Sequence, residues 1–252
     1  MSTNGARMHR RAIAEQGSPG LLEGSAHLWT MRDCDAVDGC SGRAAAQSVT
    51  GWLLARLALS ECFPVRPQDW RFARDGRGKP FIIAPEEYRP VGIGISHTDG
   101  LVACLISGDT TAAVDVERIR PYDDLSQLVP ILLSRSEQRC LASLDGERWL
   151  RRFFEYWTLK EAFAKAVGLG LAFEFASACF EIEEGDETTV QFAAPDGDSA
   201  AWIFRRLVLG PDWAGAVAVK TGPFKTCRLI HVELEPERLG ACLADVVEPR
   251  TL

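Results

Sequence analysis

The sequence lacks the short motifs that identify several large enzyme classes. It contains no G-x-x-x-x-G-K-[ST], which excludes a P-loop, and no serine stands in a G-x-S-x-G elbow, which argues against a hydrolase triad. The Gly-x-Gly pairs at 92–94 and 168–170 lack the third glycine of a dinucleotide fingerprint, and turns or close packing explain them better. Nucleotide-loop and serine-hydrolase chemistry are therefore not indicated.

The eight cysteines form no C-x-x-C pair. Cys34 and Cys40 are the closest two, and the five residues between them fit no common zinc spacing. Cys104 stands inside an apolar run. We expect buried, reduced thiols, as in a cytoplasmic protein.

Long hydrophobic runs are also absent. No stretch approaches the length of a membrane span, and the arginines near the N-terminus precede an apolar segment too short for a secretory signal. The net charge of -7 argues against a general binder of nucleic acid or anionic membranes. We expect a cytoplasmic protein that binds neither, with a polar, Gly-rich and disordered leader over residues 1–25.

The order of predicted elements indicates an α+β fold. Strands are predicted at 27–31, 91–96, 101–107 and 111–117, and helices at 43–59 and 149–167. Residues from about 125 to 144 also have a helical pattern, and a run of strands begins at 179. Strands and helices do not alternate regularly, which argues against a doubly wound parallel sheet.

Two segments carry the residues best suited to chemistry. Asp115 and Glu117 are two apart in a predicted strand, so both carboxylates point to one face. Glu161 and Lys165 are four apart on a predicted helix and share a face. Each pair alone is better explained as solvated surface. Together, three carboxylates with Lys160 or Lys165 favour a Mg²⁺ site that handles phosphates.

Ser96 and His97 stand at the end of a predicted strand, just before an Asp-Gly turn. A lone histidine at a strand end is more often a satisfied polar residue than a ligand. Without other information we assign this pair no role.

Five segments in a fixed order resemble the 4'-phosphopantetheinyl transferases, specifically the larger class typified by the surfactin-synthetase-activating enzyme. They are GKP at 78–80, ISHT at 95–98, VDVE at 114–117, LSRSE at 133–137, and WTLKEA at 157–162 together with Lys165 and GLGL at 168–171. The stretch 211–219 is similar to the last strand pair of the family. The resemblance covers roughly residues 27–220.

The resemblance implies a pseudo-dimer of two similar α+β halves, each with an antiparallel sheet packed on helices. We place the halves at 26–118 and 119–252, with the active site in the cleft between them. By this resemblance the protein, acting as a monomer, transfers the 4'-phosphopantetheine group from coenzyme A to a serine of an apo acyl or peptidyl carrier protein. Adenosine 3',5'-bisphosphate is released. The carriers serve fatty acid, polyketide or nonribosomal peptide synthesis.

The resemblance also assigns roles to individual residues. The Mg²⁺ ligands would be Asp115, Glu117 and Glu161. The catalytic residues would be Glu161, Lys165, Glu137 and Asp115. The residues that bind coenzyme A would be Lys79, Ser96, His97, Lys160, Lys165 and Arg43. Glu161, Glu137 or a metal-bound water would take the proton of the attacking serine, and the sequence leaves this choice open.

One position departs from the family pattern. Gln47 stands where relatives place a phosphate-binding arginine, and Arg43 is a possible substitute one turn earlier. This departure supports an alternative, a catalytically silent relative that binds coenzyme A or a carrier protein. A third hypothesis is an unrelated Mg²⁺-dependent phosphohydrolase that uses the same carboxylates.

Overall fold

The computed structural model describes residues 25–32, 43–108, 111–183, 190–193, 199–221 and 227–236. The predicted leader falls almost wholly outside these ranges. The helices are α1 (Arg43–Cys62), α2 (Leu125–Leu132), α3 (Arg135–Ala142) and α4 (Gly146–Val167). The strands are β1 (Ser25–Arg32), β2 (Arg71–Arg74), β3 (Pro80–Ala84), β4 (Gly92–Thr98), β5 (Leu101–Ser107), β6 (Ala112–Arg118), β7 (Cys179–Ile182), β8 (Val190–Ala193), β9 (Trp202–Arg206), β10 (Trp213–Lys220) and β11 (Arg228–Leu234).

The two larger sheets repeat one topology. The first has the order β11-β1-β5-β4 and the second the order β6-β10-β9. In each, the strand that precedes the long helix pairs with the second strand of a later antiparallel pair. A helix of 20 residues, α1, belongs to the first half, and one of 22 residues, α4, belongs to the second. The predicted α+β fold of two similar halves is confirmed.

Strand β11 is an addition to this repeat. It pairs in parallel with β1, with Ser25 opposite Arg228 and Met31 opposite Leu234. The other strand pairs in the described ranges are antiparallel. The strand pairs do not respect the predicted boundary after residue 118. Strand β6 precedes that boundary but belongs to the second sheet, and β11 follows it but belongs to the first. The domain boundary set there stays a prediction.

Each long helix buries an apolar face against its own sheet. Leu54 and Leu59 of α1 pack with Trp29 and Val102 of the first sheet. In the second half, Leu159 and Phe163 of α4 pack with alanines of β10 and with Phe204 of β9. Helix α4 ends at Gly168, whose φ of 72° is left-handed and suits glycine.

A third cluster joins the two sheets. Leu28 and Leu105 of the first sheet pack against Val114, Val116 and Val217 of the second. Gly94 of β4 lies against the backbone of β6, where a Cβ atom would meet the Val114 nitrogen at 3.2 Å. This close contact sets the distance between β4 and β6, the strands that carry several of the predicted site residues.

Two local predictions differ from the structure. The predicted helical region from about 125 to 144 is two helices, because Ser134 caps a new helix instead of continuing the first. Strand β3 was not predicted, since its five residues are too few to show alternation clearly. In the described residues we find no helix long and apolar enough to cross a membrane.

Gly94→Ala is expected to lower the free energy of unfolding by about 1–3 kcal/mol, because the new methyl group would press on the backbone of β6. Urea unfolding followed by circular dichroism measures the change. Gly76→Ala is the matched control, since a Cβ there meets nothing within 4 Å. Equal stability of the two variants would contradict a tight fit between β4 and β6.

Candidate active site

Three carboxylates and one ammonium group converge where α4 crosses β6. Asp115 and Glu117 project from one face of β6, and Glu161 and Lys165 project from one face of α4. The Lys165 Nζ atom forms an ion pair with Asp115 Oδ1 at 2.5 Å. The structure thus brings together the four residues that the sequence singled out from strand and helix spacing.

Asp115 is buried, with 2% of its surface exposed. Its Oδ1 atom accepts a hydrogen bond from Ser96 Oγ at 3.0 Å, and Ser96 Oγ in turn accepts from the Val116 backbone N–H. Within the described part of the chain, Asp115 Oδ2 has no hydrogen-bond partner. A buried carboxylate oxygen without a donor is costly, and a bound cation would remove that cost.

The two glutamates are electrostatically disfavoured as anions. Burial, and then the nearby charge of Asp115, raises the pKa of Glu117. Burial, then Asp115 and to a smaller extent Glu117, raises the pKa of Glu161 to about 7, although Lys165 opposes the change. These carboxylates therefore gain from any additional positive charge.

Lys165 stays charged in this environment. Burial by itself would lower the pKa of Lys165, but Asp115, Glu161 and Glu117 outweigh it, and the pKa is raised. Its Nζ atom also donates to Ser96 Oγ at 3.2 Å. One ammonium group is thus shared among three carboxylates.

The donor set suits a hard divalent cation. Magnesium prefers carboxylate oxygens and uses few of them, and Asp115 Oδ2 supplies a buried oxygen that no donor of the described residues contacts. As they stand in the described residues, no three His, Cys, Asp or Glu side chains already enclose a metal position. The ammonium of Lys165, bound to Asp115 Oδ1, lies among these oxygens. The residues fit a metal by their chemistry, and the side chains would have to adjust to it.

A cationic cleft adjoins the carboxylates. A cavity of about 220 Å³ is lined by Arg74, Arg77, Lys79 and Lys165 together with backbone of β4 and β6. A neighbouring pocket of about 200 Å³ is lined by Ser48, Arg74, Ile95, Ser96, His97 and Lys165. The two cavities share Arg74, Ile95 and Lys165 in their walls and therefore adjoin, and together this cationic cleft suits an anion with several phosphates.

The turn between β2 and β3 carries two of these groups, Arg77 and Lys79, to the cleft, and Arg74 is the last residue of β2. Asp75 Oδ1 accepts from the backbone N–H groups of Arg77 and Lys79, and Gly78 has a φ of 85° that glycine adopts without strain. Arg77 then donates to the Gly168 carbonyl at 3.2 Å and Lys79 to the Ala166 carbonyl at 3.3 Å. The turn is thereby fixed against the C-terminal end of α4.

Comparison with known proteins agrees with this geometry. A family model described as the 4'-phosphopantetheinyl transferase superfamily matches residues 112–218. The chain is 30% identical over 182 residues to the 4'-phosphopantetheinyl transferase HetI of Nostoc sp., covering 71% of this chain and 69% of that protein. The chain belongs to the 4'-phosphopantetheinyl transferase superfamily.

Other relatives extend the comparison. The transferase pptA of Paxillus involutus is 31% identical over 64% of this chain and 65% of its own length. The transferase psf-1 of Bacillus pumilus is 26% identical over 75% of this chain and 76% of its own length. The chain thus spans about two thirds to three quarters of these relatives. A holo-(acyl-carrier-protein) synthase structure from Bacillus anthracis, in complex with CoA (3',5'-ADP), aligns with a TM-score of 0.36 at 19% identity, over 42% of this chain and 91% of that one.

Two predicted site residues lie away from the cationic cleft. Glu137 and Lys160 form an ion pair at 2.9 Å with both side chains 0% exposed. Glu137 accepts from the Ser134 and Phe180 backbone N–H groups, and Lys160 donates to the Phe175 and Ala178 carbonyls. These contacts give both residues a structural task. Their catalytic and coenzyme-binding roles stay predictions that the contacts do not support.

The other residues that the sequence analysis considered for coenzyme A binding lie at different places. Ser96, His97 and Lys79 line the cleft, and burial, then Lys165 and Arg74, lowers the pKa of His97. The side chain of Arg43 lies outside the described residues. Gln47 is buried and donates to the Thr98 carbonyl at 3.0 Å. An amide thus supports β4 at the position where the resemblance to the family predicts an arginine.

Sequence reasoning missed Arg74 and Arg77 as site residues. The available signal was their spacing, since three basic side chains fall within six residues around an Asp-Gly turn, at 74, 77 and 79. A tight turn with such a charge density is suited to meet a phosphate.

The metal-free protein is expected to lose stability through Glu161 between about pH 4.5 and about 7. The folded chain, in which the pKa of Glu161 is raised, binds more protons there than the unfolded chain, so this contribution falls as pH rises. Glu161→Gln removes it. Thermal unfolding in EDTA should show that the stability of the variant relative to the wild type increases as pH rises. Curves of stability against pH that run parallel would contradict the raised pKa.

Glu137→Leu is expected to lower the free energy of unfolding by about 3–5 kcal/mol, because Lys160 would remain buried without its partner. The double variant Glu137→Leu with Lys160→Met removes both charges and should recover part of the loss, because the Ser134 and Phe180 backbone N–H groups still lack their acceptor. Denaturant unfolding of both variants measures this. Wild-type stability of the single variant would argue against a structural role for Glu137.

Proposed function

We propose that this chain transfers the 4'-phosphopantetheine group from coenzyme A to a serine of an apo acyl or peptidyl carrier protein, releasing adenosine 3',5'-bisphosphate. The observation that carries the proposal is the meeting of Asp115, Glu117, Glu161 and Lys165 at the end of a cleft lined by arginine and lysine. Membership of the transferase superfamily gives the reaction type, and the cleft gives a place for a polyphosphate substrate.

The reaction exchanges one P–O bond for another. The serine oxygen forms a bond to the β-phosphorus of coenzyme A, and the bond from that phosphorus to the bridging oxygen breaks. The α-phosphate leaves as the 5'-phosphate of adenosine 3',5'-bisphosphate and carries the negative charge. Groups that stabilise charge on the bridging and non-bridging oxygens therefore lower the barrier.

Asp115, Glu117 and Glu161 would hold the magnesium ion. When bound, that ion supplies positive charge to the pyrophosphate. Lys165 adds its ammonium beside the same oxygens, and its raised pKa keeps it charged at neutral pH. Ser96 also holds Asp115, by a hydrogen bond to Oδ1, the same oxygen that meets Lys165. Magnesium dependence is part of this proposal.

The cleft would bind the phosphates of coenzyme A. Arg74, Arg77, Lys79 and Lys165 present four cationic side chains along its wall, and His97 stands beside them. Lys79 and Arg77 currently donate to backbone carbonyls of α4, and a phosphate is a stronger acceptor than a carbonyl. These residues would orient the pyrophosphate toward the carboxylates.

The proton of the attacking serine needs an acceptor at neutral pH. Glu161 lies in the carboxylate cluster, and in the metal-free site its pKa is raised to about 7, close to the operating pH, whereas a bound cation would lower that pKa and favour Glu161 as a ligand. Glu137, the other carboxylate proposed from the sequence, is 0% exposed and already accepts several hydrogen bonds. The choice of carrier and pathway, the cytoplasmic location and the monomeric state stay predictions.

The test is intact mass spectrometry of apo acyl and peptidyl carriers incubated with the chain, coenzyme A and Mg²⁺. We expect a mass gain of one phosphopantetheine group, abolished by EDTA. Glu161→Ala should lower the turnover by roughly 10²-fold or more, because one preorganised charged group is lost. Glu147→Ala, an exposed glutamate on the same helix, is the matched control and should keep full activity.

Each failure has its own meaning. No mass gain on any carrier with folded protein would favour the silent binding relative, with Gln47 as its cause. Release of phosphopantetheine from coenzyme A without a carrier would favour a phosphohydrolase. Near wild-type turnover of Glu161→Ala would overturn the metal assignment.

A further inference from the structure

The carboxylate of Glu117 is held from two opposite sides. Its Oε1 atom accepts a hydrogen bond from the indole Nε1–H of Trp157 at 3.3 Å. Its Oε2 atom accepts from the Thr98 hydroxyl at 3.4 Å. Trp157 belongs to α4 in the second half, whereas Thr98 belongs to β4 in the first half. Both halves thus contribute one donor to the same side chain.

Trp157 is itself fixed by its surroundings. Its ring stacks on Phe175, with ring centroids 5.8 Å apart and an angle of 23° between the planes. The Phe175 carbonyl accepts from Lys160 Nζ at 2.8 Å, and Lys160 is paired with the buried Glu137. The buried ion pair therefore holds the segment against which the indole stacks. The direction of the indole N–H depends on this packing.

Thr98 is fixed in a comparable way on the other side. Its Oγ1 atom accepts from the Arg118 backbone N–H at 3.0 Å, which leaves the hydroxyl hydrogen for Glu117. The Thr98 carbonyl accepts from the side chain of Gln47 on α1. The backbone and the hydroxyl of Thr98 are both held in place before any ligand binds.

We propose that Trp157 and Thr98 are positioning residues that together clamp the Glu117 carboxylate in the orientation needed to bind a divalent cation with Asp115 and Glu161. The inference rests on the proposed function for the use of that cation. Donors to a ligating carboxylate fix its direction, and their loss typically costs 10- to 100-fold in metal affinity. Each hydrogen bond is long and weak by itself, but two donors on opposite oxygens restrict rotation of the carboxylate.

The clamp also gives Gln47 a structural role that differs from the role of a phosphate-binding arginine. An arginine at this position would bring a positive charge to a phosphate, whereas Gln47 supports the residue that holds Glu117. In this chain the position contributes to the carboxylate cluster through Thr98.

Direct binding of Mn²⁺ tests the clamp without relying on transfer activity. Free Mn²⁺ is measured by electron paramagnetic resonance, with the full chain and with coenzyme A present or absent. We expect Trp157→Phe and Thr98→Val each to weaken Mn²⁺ binding by about 10-fold, since each removes one donor. Glu117→Gln defines the loss of the ligand itself.

Two matched variants separate positioning from packing. Thr98→Ser keeps the hydroxyl and should bind Mn²⁺ within about twofold of the wild type, which a general loss of packing would not allow. Trp149→Phe makes the same change on the same helix, where the ring stacks on Phe153, and should leave Mn²⁺ binding unchanged. In the transfer assay, the Mg²⁺ concentration for half-maximal rate should rise with Trp157→Phe, while the KM for coenzyme A stays within about twofold.

The outcomes distinguish this inference from the proposed function. Weakened Mn²⁺ binding in Trp157→Phe and Thr98→Val, with Thr98→Ser normal, supports the clamp even if no carrier is modified. Unchanged Mn²⁺ binding in both variants overturns the clamp, even if the chain is an active transferase. Absence of Mn²⁺ binding to the wild type, with coenzyme A present, overturns it as well.

Discussion

The ion pair between Lys165 and Asp115 is the interaction on which the cleft depends. It joins the last turns of α4 to β6, and it gives three neighbouring carboxylates their positive partner. Burial, and then the charge of Asp115, raises the pKa values of Glu117 and Glu161, and the single ammonium of Lys165 does not offset that rise. One positive charge holds the site together, and further positive charge would stabilise the three carboxylates. This imbalance is the physical reason why a cation would bind there.

A second lysine on the same helix has a different task. Lys160 and Lys165 are five residues apart, which places them about 140° apart around the helix axis. Lys165 faces the cleft, whereas Lys160 faces the interior and meets Glu137, and burial lowers its pKa although Glu137 opposes that change. Two adjacent residues, Lys160 and Glu161, therefore lie in different surroundings, the first in the buried ion pair and the second in the carboxylate cluster. Helix α4 supports the second core on one side and forms the wall of the cleft on the other.

The sequence predicted the carboxylate cluster because local periodicity is sufficient there. A spacing of two in a strand and of four in a helix fixes which side chains share a face, and the apolar residues between them fix which face is buried. The capping role of Glu137 was also readable, since Ser134 and Glu137 have the spacing of a capping box that the structure forms. The contact between Arg77 and the Gly168 carbonyl was not readable, because it joins a turn to a helix end 91 residues later. The parallel pairing of β11 with β1 is non-local for the same reason.

That parallel pairing has a consequence for the order in which the molecule is assembled. The register from Ser25 with Arg228 to Met31 with Leu234 spans nearly the whole chain, so it can form only after residue 234 has left the ribosome. Until then β1 has an open hydrogen-bonding edge, of the kind that other chains can pair with. The antiparallel strands of the first sheet, β1, β4 and β5, are complete by residue 107, long before β11 is made. The first sheet of the nascent chain therefore lacks β11 beside β1 while residues 108–227 are being made.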